Sequence, residues 1–373
     1  MTTSVLLHDP FRGVRALAAF LELPDDVYHG DPAYVPQARE DVMAALQRRE
    51  HLRTQRAWVA TVDDVPVARL VARRSPSLCD AAGRPLGLLG FFEAREEPEG
   101  HEAARLLFTE AVAWLQENGA GRIVGPMETD TWHRHRLNVG PFDDPPFLLE
   151  PYNPAYYPQI WEASGFEVLE DWLSKQVDPT AVVAHLQPRA AAAREMGYRV
   201  QALDLRRLGE ELRRVYRLSR EIFADNFLYT EIPEEDFLAL YGGTRALLDP
   251  DLVLFAVSPQ GEDAGFLFAY PDRFRAVAAM RGRHGLLAKL RYHRLRDDTE
   301  AVDFKTLGVL PGHRRAGVAA LLMHEGHLRA QGKGYRAANH CLFRAGNPSG
   351  EMDGGAGRIL RRYRMYAWPS TPE

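Results

Sequence analysis

Apolar residues recur along the first half of the chain with two different spacings. At residues 101–119 (HEAARLLFTEAVAWLQENG) they return every three or four positions, which predicts an amphipathic helix ending at Gly119. At 57–75 two β-rich runs flank Asp63 and Asp64, which predicts a hairpin. The same reasoning predicts helices at 14–23 and 156–166, and strands at 86–94, 122–127 and 167–178.

The order of these elements starts again after residue 178. The polar, Ala-rich segment 178–197 is either a linker or the first helix of a second half. Beyond it the pattern predicts a strand at 198–205, a helix at 208–227, a hairpin at 251–272, a strand at 302–310, a helix at 315–334, and strands at 335–343 and 360–368. The repeated order predicts a duplicated α/β (α+β) fold, with domains at 1–180 and 181–373.

Composition excludes several classes of protein. The chain is 46% hydrophobic and 26% charged, as expected of a globular protein, and its net charge of -5 leaves no basic footprint for nucleic acid. Only two cysteines occur, Cys79 and Cys341, so a disulfide framework or zinc cluster is not expected, and we predict no metal. With no run of 18 apolar residues and no basic leader, we predict a cytoplasmic protein without a membrane partner.

The stretch LGVLPGHRRAGVAALLMHEG, residues 307–326, combines a strand, a tight turn and a helix start. The first N–H groups of a helix lack acceptors and the helix dipole attracts anions there. Glycine lets a phosphate approach the backbone, and arginine adds charged hydrogen bonds. The turn therefore predicts a phosphate-binding site formed by Gly312, Arg314, Arg315, Ala316, Gly317, Val318 and Ala319, directly after the strand end Leu307, Gly308 and Val309.

This turn resembles the pyrophosphate motif of the GNAT superfamily of N-acyltransferases, Gln/Arg-x-x-Gly-x-Gly/Ala after a strand ending in Val-x-Pro. Arg314, Gly317 and Ala319 match its fixed positions, and Asn347 stands where the family often has a CoA-contacting Asn. The segment PYNPAYYPQIWEASGF at 151–166 resembles a GNAT ending in the first half. The whole chain is similar to a group of bacterial proteins with two tandem GNAT-like modules, each a mixed, largely antiparallel sheet flanked by helices.

The first half lacks the phosphate turn. Its counterpart reads REEPEGHEAARLL, with Glu96, Glu97 and Glu99 at the start of the helix. Carboxylates there stabilise a helix but repel a pyrophosphate. We therefore expect a degenerate GNAT-like domain at 1–180 and an acyl-CoA-binding domain at 181–373.

The resemblance implies direct transfer of an acyl group from acetyl-CoA, or another acyl-CoA, to a small-molecule amine in a ternary complex. The thioester oxygen would meet backbone N–H groups at Leu307–Val309. The amine must lose a proton, and Asp303 is the first candidate base, with Glu128, Asp130, His133 and His135 as alternatives. The family's acidic Tyr is missing after Asn347 because that segment is too glycine-rich for a full helix, which leaves Tyr363 or Tyr366 to protonate the thiolate.

Other patterns leave alternatives open. The segment TWHRHR could line an acceptor pocket, form a solvated loop or bind a metal, and Cys341 is either a structural thiol or an acyl acceptor. His324 and His327 are expected at the surface of the CoA helix, and the basic stretch 273–296 is expected to be an amphipathic helical insertion. A CoA-binding protein without turnover, or a tRNA-dependent aminoacyl transferase, are the alternative functions. A homodimer is compatible with the sequence.

Overall fold

A computed structural model of the chain describes residues 4–48, 53–283 and 285–368. Thirteen strands form one sheet, with helices packed on its faces. Neighbouring strands are antiparallel except in two places, where Pro85–Ala94 runs parallel to Ile123–Gly125 and Ala301–Val309 runs parallel to Ala337–Arg344. The predicted α/β (α+β) class with mixed, largely antiparallel sheets is confirmed.

The first half begins with an edge strand and two helices, continues as a three-stranded meander, and crosses over through one long helix. Asp63 and Asp64 have φ of 48° and 64°, so they make the tight turn of the predicted hairpin. The elements are β1 (Val5–His8), α1 (Val14–Val27), α2 (Arg39–Gln47), β2 (Gln55–Val62), β3 (Val65–Cys79), β4 (Pro85–Ala94), α3 (Pro98–Glu117), β5 (Ile123–Gly125), β6 (Leu137–Gly140), α4 (Tyr157–Ala163) and β7 (Glu167–Val177).

The second half repeats this order with one helical insertion. Its elements are α5 (Pro179–Glu195), β8 (Arg199–Ala202), α6 (Leu208–Ile222), α7 (Glu234–Gly242), β9 (Val253–Val257), β10 (Asp263–Pro271), α8 (Phe274–Ala278), α9 (Leu286–Leu295), β11 (Ala301–Val309), α10 (Val318–Gly332), β12 (Ala337–Arg344) and β13 (Arg358–Trp368). The segment 178–197 is thus a helix, and 273–296 is the predicted insertion, formed by α8 and α9.

The two halves share their strands in the middle of the sheet. The strand order is β1-β2-β3-β4-β5-β13-β7-β12-β11-β10-β9-β8, with β6 also pairing β13. The last strand of the chain therefore lies inside the first half, where Tyr366 pairs with Gly125. In return β7 of the first half pairs with β12 of the second, with His340 opposite Lys175. Residue 180, the boundary predicted from the sequence, lies in the first turn of α5, and the sheet continues from one half into the other.

Helices cover the sheet and bury one core in each half. In the first half α3 packs across β2, β3 and β4, around Phe108 and Trp161. In the second half α10 packs between the sheet and α5, and buries Leu321 against Ala190 and Ala193 of that helix. No helix in the described ranges is long and apolar enough to cross a membrane.

One expectation about α10 is wrong. His324 and His327 were expected at the surface, but they are 3% and 0% exposed. Both faces of α10 are covered, one by the sheet and one by α5, so the helix has little surface left for polar residues. The glycine-rich segment after β12 forms only a short 3-10 turn at Pro348–Glu351, as its composition indicates.

Candidate active site

A gap opens between the two parallel strands of the second half. β11 and β12 pair from Ala301 opposite Ala337 to Phe304 opposite His340, and then part. Both strands are irregular at this level: the ladder of β10 with β11 skips Lys305, and Leu342 of β12 has φ of 53°. Beyond Phe304 the edge of β11 that faces β12 has no strand partner in the described part of the chain. Its backbone groups are therefore free to bind a ligand.

The phosphate-type turn lies at the end of the gap. After a 3-10 turn at Pro311–His313, Gly317 has φ of 74° and caps α10. A Cβ on Gly317 would lie 3.1 Å from the carbonyl oxygen of Arg189, so both the backbone angle and the space favour glycine. Several successive N–H groups have no acceptor among the described residues, namely those of Arg315, Gly317, Val318, Ala319 and Ala320. They form a row of unpaired donors at the N-terminus of α10.

The two arginines of the turn have different environments. Arg314 folds back, and its guanidinium donates to the carbonyl oxygens of Val309, at 3.3 Å, and Ile222, at 3.2 Å. Arg315 is exposed and makes no hydrogen bond or ion pair with any residue that the structure describes. Arg314 thus tightens the turn, and Arg315 is available to an anion.

A buried polar group lies at the level where the strands part. Asp303 is fully buried, and its Oδ1 accepts a 2.9 Å hydrogen bond from Nδ2 of Asn339, whereas Oδ2 has no partner among the described atoms. Burial, with a smaller contribution from Asp272, raises the pKa of Asp303 well above its ordinary value. Burial also raises the pKa of the Cys341 thiol, and the Asp303 charge raises it further. Cys341 is therefore held as a neutral thiol, which makes it a poor nucleophile.

Tyr363 lies beside the same group, on β13. Its hydroxyl donates to Glu150 and lies 3.1 Å from the hydroxyl of Ser174. Arg361 forms an ion pair with the same carboxylate, with its Nε 3.0 Å from Oε1. Burial raises the pKa of Tyr363 well above its ordinary value, and the charge of Glu150 raises it further. We name Asp303, Lys305, Asn339, Cys341, Glu150 and Tyr363 the gap cluster.

The first half supplies the cover of this cluster. A loop at 141–156 crosses onto the second half, where Tyr270 donates to the carbonyl oxygen of Leu148 at 3.0 Å. Nζ of Lys305 donates to the carbonyl oxygen of Leu149 at 3.2 Å. Burial lowers the pKa of Lys305 and raises that of Glu150. The cluster therefore lies between the halves and needs both.

Apolar side chains line the neighbouring wall of the gap. Phe227 and Leu228, which follow α6, pack with Leu342 around the buried Trp172. The rings of Trp172 and Phe227 are 6.1 Å apart, and the guanidinium of Arg136 lies 4.3 Å from the centre of the Trp172 ring. A hydrocarbon portion of a substrate would find favourable contacts here.

Two predicted site residues lie away from the cluster. Nδ1 of His133 is 2.8 Å from Asp130 Oδ1, in a turn where the neighbouring Trp132 donates to the carbonyl oxygen of Thr230. Asn347 is exposed and uses its side chain to cap the 3-10 turn, accepting from the N–H of Ser349 at 3.0 Å. Asp303 and Tyr363, by contrast, both lie near Glu150 and Cys341, although β7 and β12 separate their strands in the sheet.

Sequence analysis missed Glu150, Lys305 and Arg361. A charge between apolar residues, as in FLLEPY at 147–152 or DFKTL at 303–307, is the signal that could have found them. Such a charge usually lies on the solvent face of a strand. Here β13 and the 141–156 loop cross from one half to the other and cover these charged side chains.

Solved structures of similar architecture show that the chain has the GNAT fold, and one of them is a tandem GNAT protein. A GCN5-related glucosamine N-acetyltransferase region of a fungal multi-domain protein matches with TM-score 0.56 at 15% identity, over 98% of this chain and 38% of that one. A tandem GNAT protein from the clavulanic acid biosynthesis pathway matches with TM-score 0.50 at 12% identity, over 99% of both chains.

Two curated proteins are related in sequence. Protein YghO of Escherichia coli K12 is 24% identical over 274 residues, 71% of this chain and 68% of its own. A bacterial ceramide synthase of Caulobacter vibrioides is 25% identical over 283 residues, 74% of this chain and 72% of its own. No established protein-family profile matches the chain.

Proposed function

We propose that the chain is an acyl-CoA-dependent N-acyltransferase whose second half binds the acyl-CoA. The observation that carries this proposal is the parting of β11 and β12 directly beside the row of unpaired N–H groups at the start of α10. The row suits a pyrophosphate, and Arg315 adds a mobile positive charge. The free edge of β11 suits the pantetheine amides, which need backbone partners.

Binding in this orientation would bring the thioester to the level of the gap cluster. The backbone at Leu307–Val309 would donate to the carbonyl oxygen as negative charge develops on it. The amine attacks the carbonyl carbon, the C–S bond breaks, and the products are an amide and free CoA. Holding both reactants in one site accounts for much of the rate acceleration, because the reacting atoms are kept close together in the orientation that the attack needs.

Two protons must move in this reaction. An alkyl ammonium has a pKa of about 10, so the amine must be deprotonated before or during its attack. Asp303 is the proposed base because its raised pKa makes it a stronger proton acceptor than an exposed carboxylate. Tyr363 is the proposed donor to the thiolate, with Glu150 and Ser174 orienting its hydroxyl. His133 has no part in this scheme.

The apolar wall favours a substrate with a long hydrocarbon portion. Phe227, Leu228, Leu342 and Trp172 present mainly apolar side-chain surface, with the guanidiniums of Arg136 and Arg344 against two of the rings, and this surface suits an alkyl chain better than a sugar. The relative named as a bacterial ceramide synthase points the same way, since a ceramide is an N-acylated long-chain amino alcohol. The proposed acceptor is therefore a long-chain amine, and the short acyl group of acetyl-CoA becomes one of several donors to compare.

The first half is proposed to act as a partner rather than as a second enzyme. Glu96 and Glu97 are exposed at the start of α3, where a pyrophosphate would be repelled. Its contribution is the loop 141–156 and strand β7, which carry Glu150 and Ser174 to the cluster.

The test is a matrix of donors and acceptors. Acetyl-, octanoyl- and palmitoyl-CoA are each combined with a short amine, an amino sugar and a long-chain amino alcohol, and release of the CoA thiol is followed with a thiol reagent. The proposal expects thiol release and amide formation with at least one pair, fastest with the long-chain acceptor. CoA binding by calorimetry without any thiol release would indicate a binding protein, and no CoA binding at all would overturn the proposal.

A further inference from the structure

Helix α9 presents three leucines to solvent. Leu286, Leu287 and Leu290 are 76%, 73% and 57% exposed, and all lie within five consecutive positions. Isolated exposed leucines are common, but an exposed cluster on one helix marks an interaction surface.

The opposite face of α9 is already used for packing. Ala288 and Tyr292 are buried, and the hydroxyl of Tyr292 donates to the carbonyl oxygen of Ala246 at 3.2 Å. At 100° per residue the three leucines centre on the side of the helix away from these two. The leucines are thus not a displaced part of the core, because the helix has separate inward and outward apolar faces.

Positive charge surrounds the exposed leucines. Residues 273–296 contain eight Arg and Lys and no Asp or Glu, in a chain whose net charge is -5. Lys289, Arg291 and Arg294 are exposed on α9 and form no ion pair with any residue in the described ranges. Among the residues that the structure describes, the salt bridges of this insertion are those of Arg275 with Asp298 and of Arg296 with Asp297, near its two ends. The charge is therefore available to an external partner.

We propose that α9 docks the protein on the surface of an anionic lipid bilayer. A short helix with leucines outermost and cationic side chains around them can bury the leucines at the headgroup boundary while the charges contact anionic headgroups. Nucleic acid would use the charges but leave the leucines exposed to water, so the combination favours a lipid surface. This is peripheral binding, and the predicted absence of a membrane partner is revised accordingly.

The insertion also borders two cavities of the protein. Phe274 of α8 lines a cavity of about 570 Å³ that also contains Arg361, the partner of Glu150. Arg281 and Gly282, before α9, line a second cavity of about 510 Å³ beside α1 and α2. Docking through α9 would bring this side of the molecule close to lipid. The inference does not depend on the proposed acyl transfer, since binding is measured without any substrate.

The experiment is flotation of the full chain with vesicles, either neutral phosphatidylcholine or the same lipid with 30% phosphatidylglycerol (roughly one anionic lipid in three). Two triple variants are compared with the native protein: Leu286→Gln, Leu287→Gln, Leu290→Gln, and Lys289→Gln, Arg291→Gln, Arg294→Gln. Matched controls are Val14→Gln, at an apolar side chain 87% exposed on α1, and the triple change of the exposed Arg105, Arg199 and Arg217 to Gln. Circular dichroism checks that every variant is folded.

The native protein should bind the anionic vesicles and not the neutral ones, and more weakly as salt is raised. Each lost charge should weaken the partition about fivefold, and the loss of the leucines should weaken it more than about tenfold. The controls should bind like the native protein. No binding of the native protein to anionic vesicles, or binding by either α9 variant as strong as that of the native protein, would overturn the proposal.

Discussion

Nε2 of His327 and Nε2 of His340 lie 2.9 Å apart, and both rings are buried against Phe304. Nδ1 of His327 is 2.7 Å from the carbonyl oxygen of Met323, which can only accept, so this nitrogen carries a proton. Nε2 of a neutral His327 must then accept, and His340 donates to it. This hydrogen bond requires a neutral His327, and burial lowers the pKa of both rings, which favours their neutral forms.

This pair makes stability depend on pH in the acidic range. Burial lowers the pKa of His327 well below its usual value and that of His340 to about 4. Between about pH 6.5 and 4 the unfolded chain binds protons that the folded chain refuses, so stability is present above this window and is lost as pH falls through it. Lowering the pH from 7 to 5 should cost about 2 kcal/mol through His340 alone, measured by urea unfolding.

His340→Gln gives the matched comparison, because a Gln amide can still donate to His327 but does not titrate. Its unfolding free energy should change less between pH 7 and pH 5 than that of the native protein. The exposed His29, changed to Gln, should leave the native pH dependence in place. An identical slope for His340→Gln and the native protein would contradict the assignment.

Gly317→Glu should abolish CoA binding. The substitution puts a carboxylate among the unpaired N–H groups and forces a side chain at φ of 74° toward Arg189. We expect the dissociation constant for CoA to rise at least about tenfold, since one repelled or lost anion contact is worth more than 1 kcal/mol. Gly332→Ala, at the other end of α10 with open space around it, should bind CoA like the native chain. If Gly317→Glu bound CoA with unchanged affinity, the turn at 312–319 would not be the pyrophosphate site.

Asp303→Asn should slow acyl transfer without changing the affinity for CoA. Asn keeps the hydrogen bond from Asn339 but cannot accept the proton of the amine. A drop in kcat of about 10²- to 10⁴-fold is expected for a general base. If Asp303 is the base, the fall in rate of the native protein at low pH should be absent in Asp303→Asn. If the variant keeps this fall in rate, another residue is the base.

The same substitution should stabilise the protein at neutral pH. The folded pKa of Asp303 lies above its unfolded value, so the folded chain binds the extra proton and loses stability as pH rises through this window. Asn has no such cost. Urea unfolding should show Asp303→Asn more stable than the native chain at pH 7, with the difference shrinking toward pH 4.

Tyr363→Phe should lower kcat more than Tyr366→Phe does. Both tyrosines are fully buried on β13, but Tyr363 bonds Glu150 in the gap cluster, whereas Tyr366 donates to Glu162 at 2.9 Å, away from it. A thiol of pKa about 8.5 leaves without much help, so the expected loss is about tenfold in Tyr363→Phe. The loss should grow with pH if Tyr363 is the acid. Equal kcat in both variants would exclude Tyr363.

Local patterns predicted most elements of both halves, but not β1, α2, β6 or α7. Asp63 and Asp64 predicted the turn of the hairpin, and Gly119 and Gly332 predicted the ends of two helices. The apolar run before Pro311 predicted β11. These signals act over a few residues, through backbone angles and the period of buried side chains. The glycine turn could be predicted for the same reason, because the residues of its motif are close together along the chain.

The gap cluster was only partly readable. Asp303 was found because it precedes the motif by a few residues on one strand. Glu150 and Arg361 were not found, because their burial depends on a loop and a strand that return from the other half of the chain. The burial of His324 and His327 was missed for the same reason. His324 is covered by α5, where it contacts Gln187, and His327 packs against the sheet on Phe304 and His340.

By itself the sequence determined two successive sets of helices and strands, and a phosphate-type turn in only one of them. Only the tertiary structure decided that these sets exchange strands, with β13 between β5 and β7, and β7 against β12. Periodicity reports which face of a strand is buried, but it does not identify the neighbouring strand, because many apolar strands present equivalent edges. That exchange brings Tyr363, Ser174 and Glu150 to the gap beside Asp303, so the candidate active site belongs to both halves.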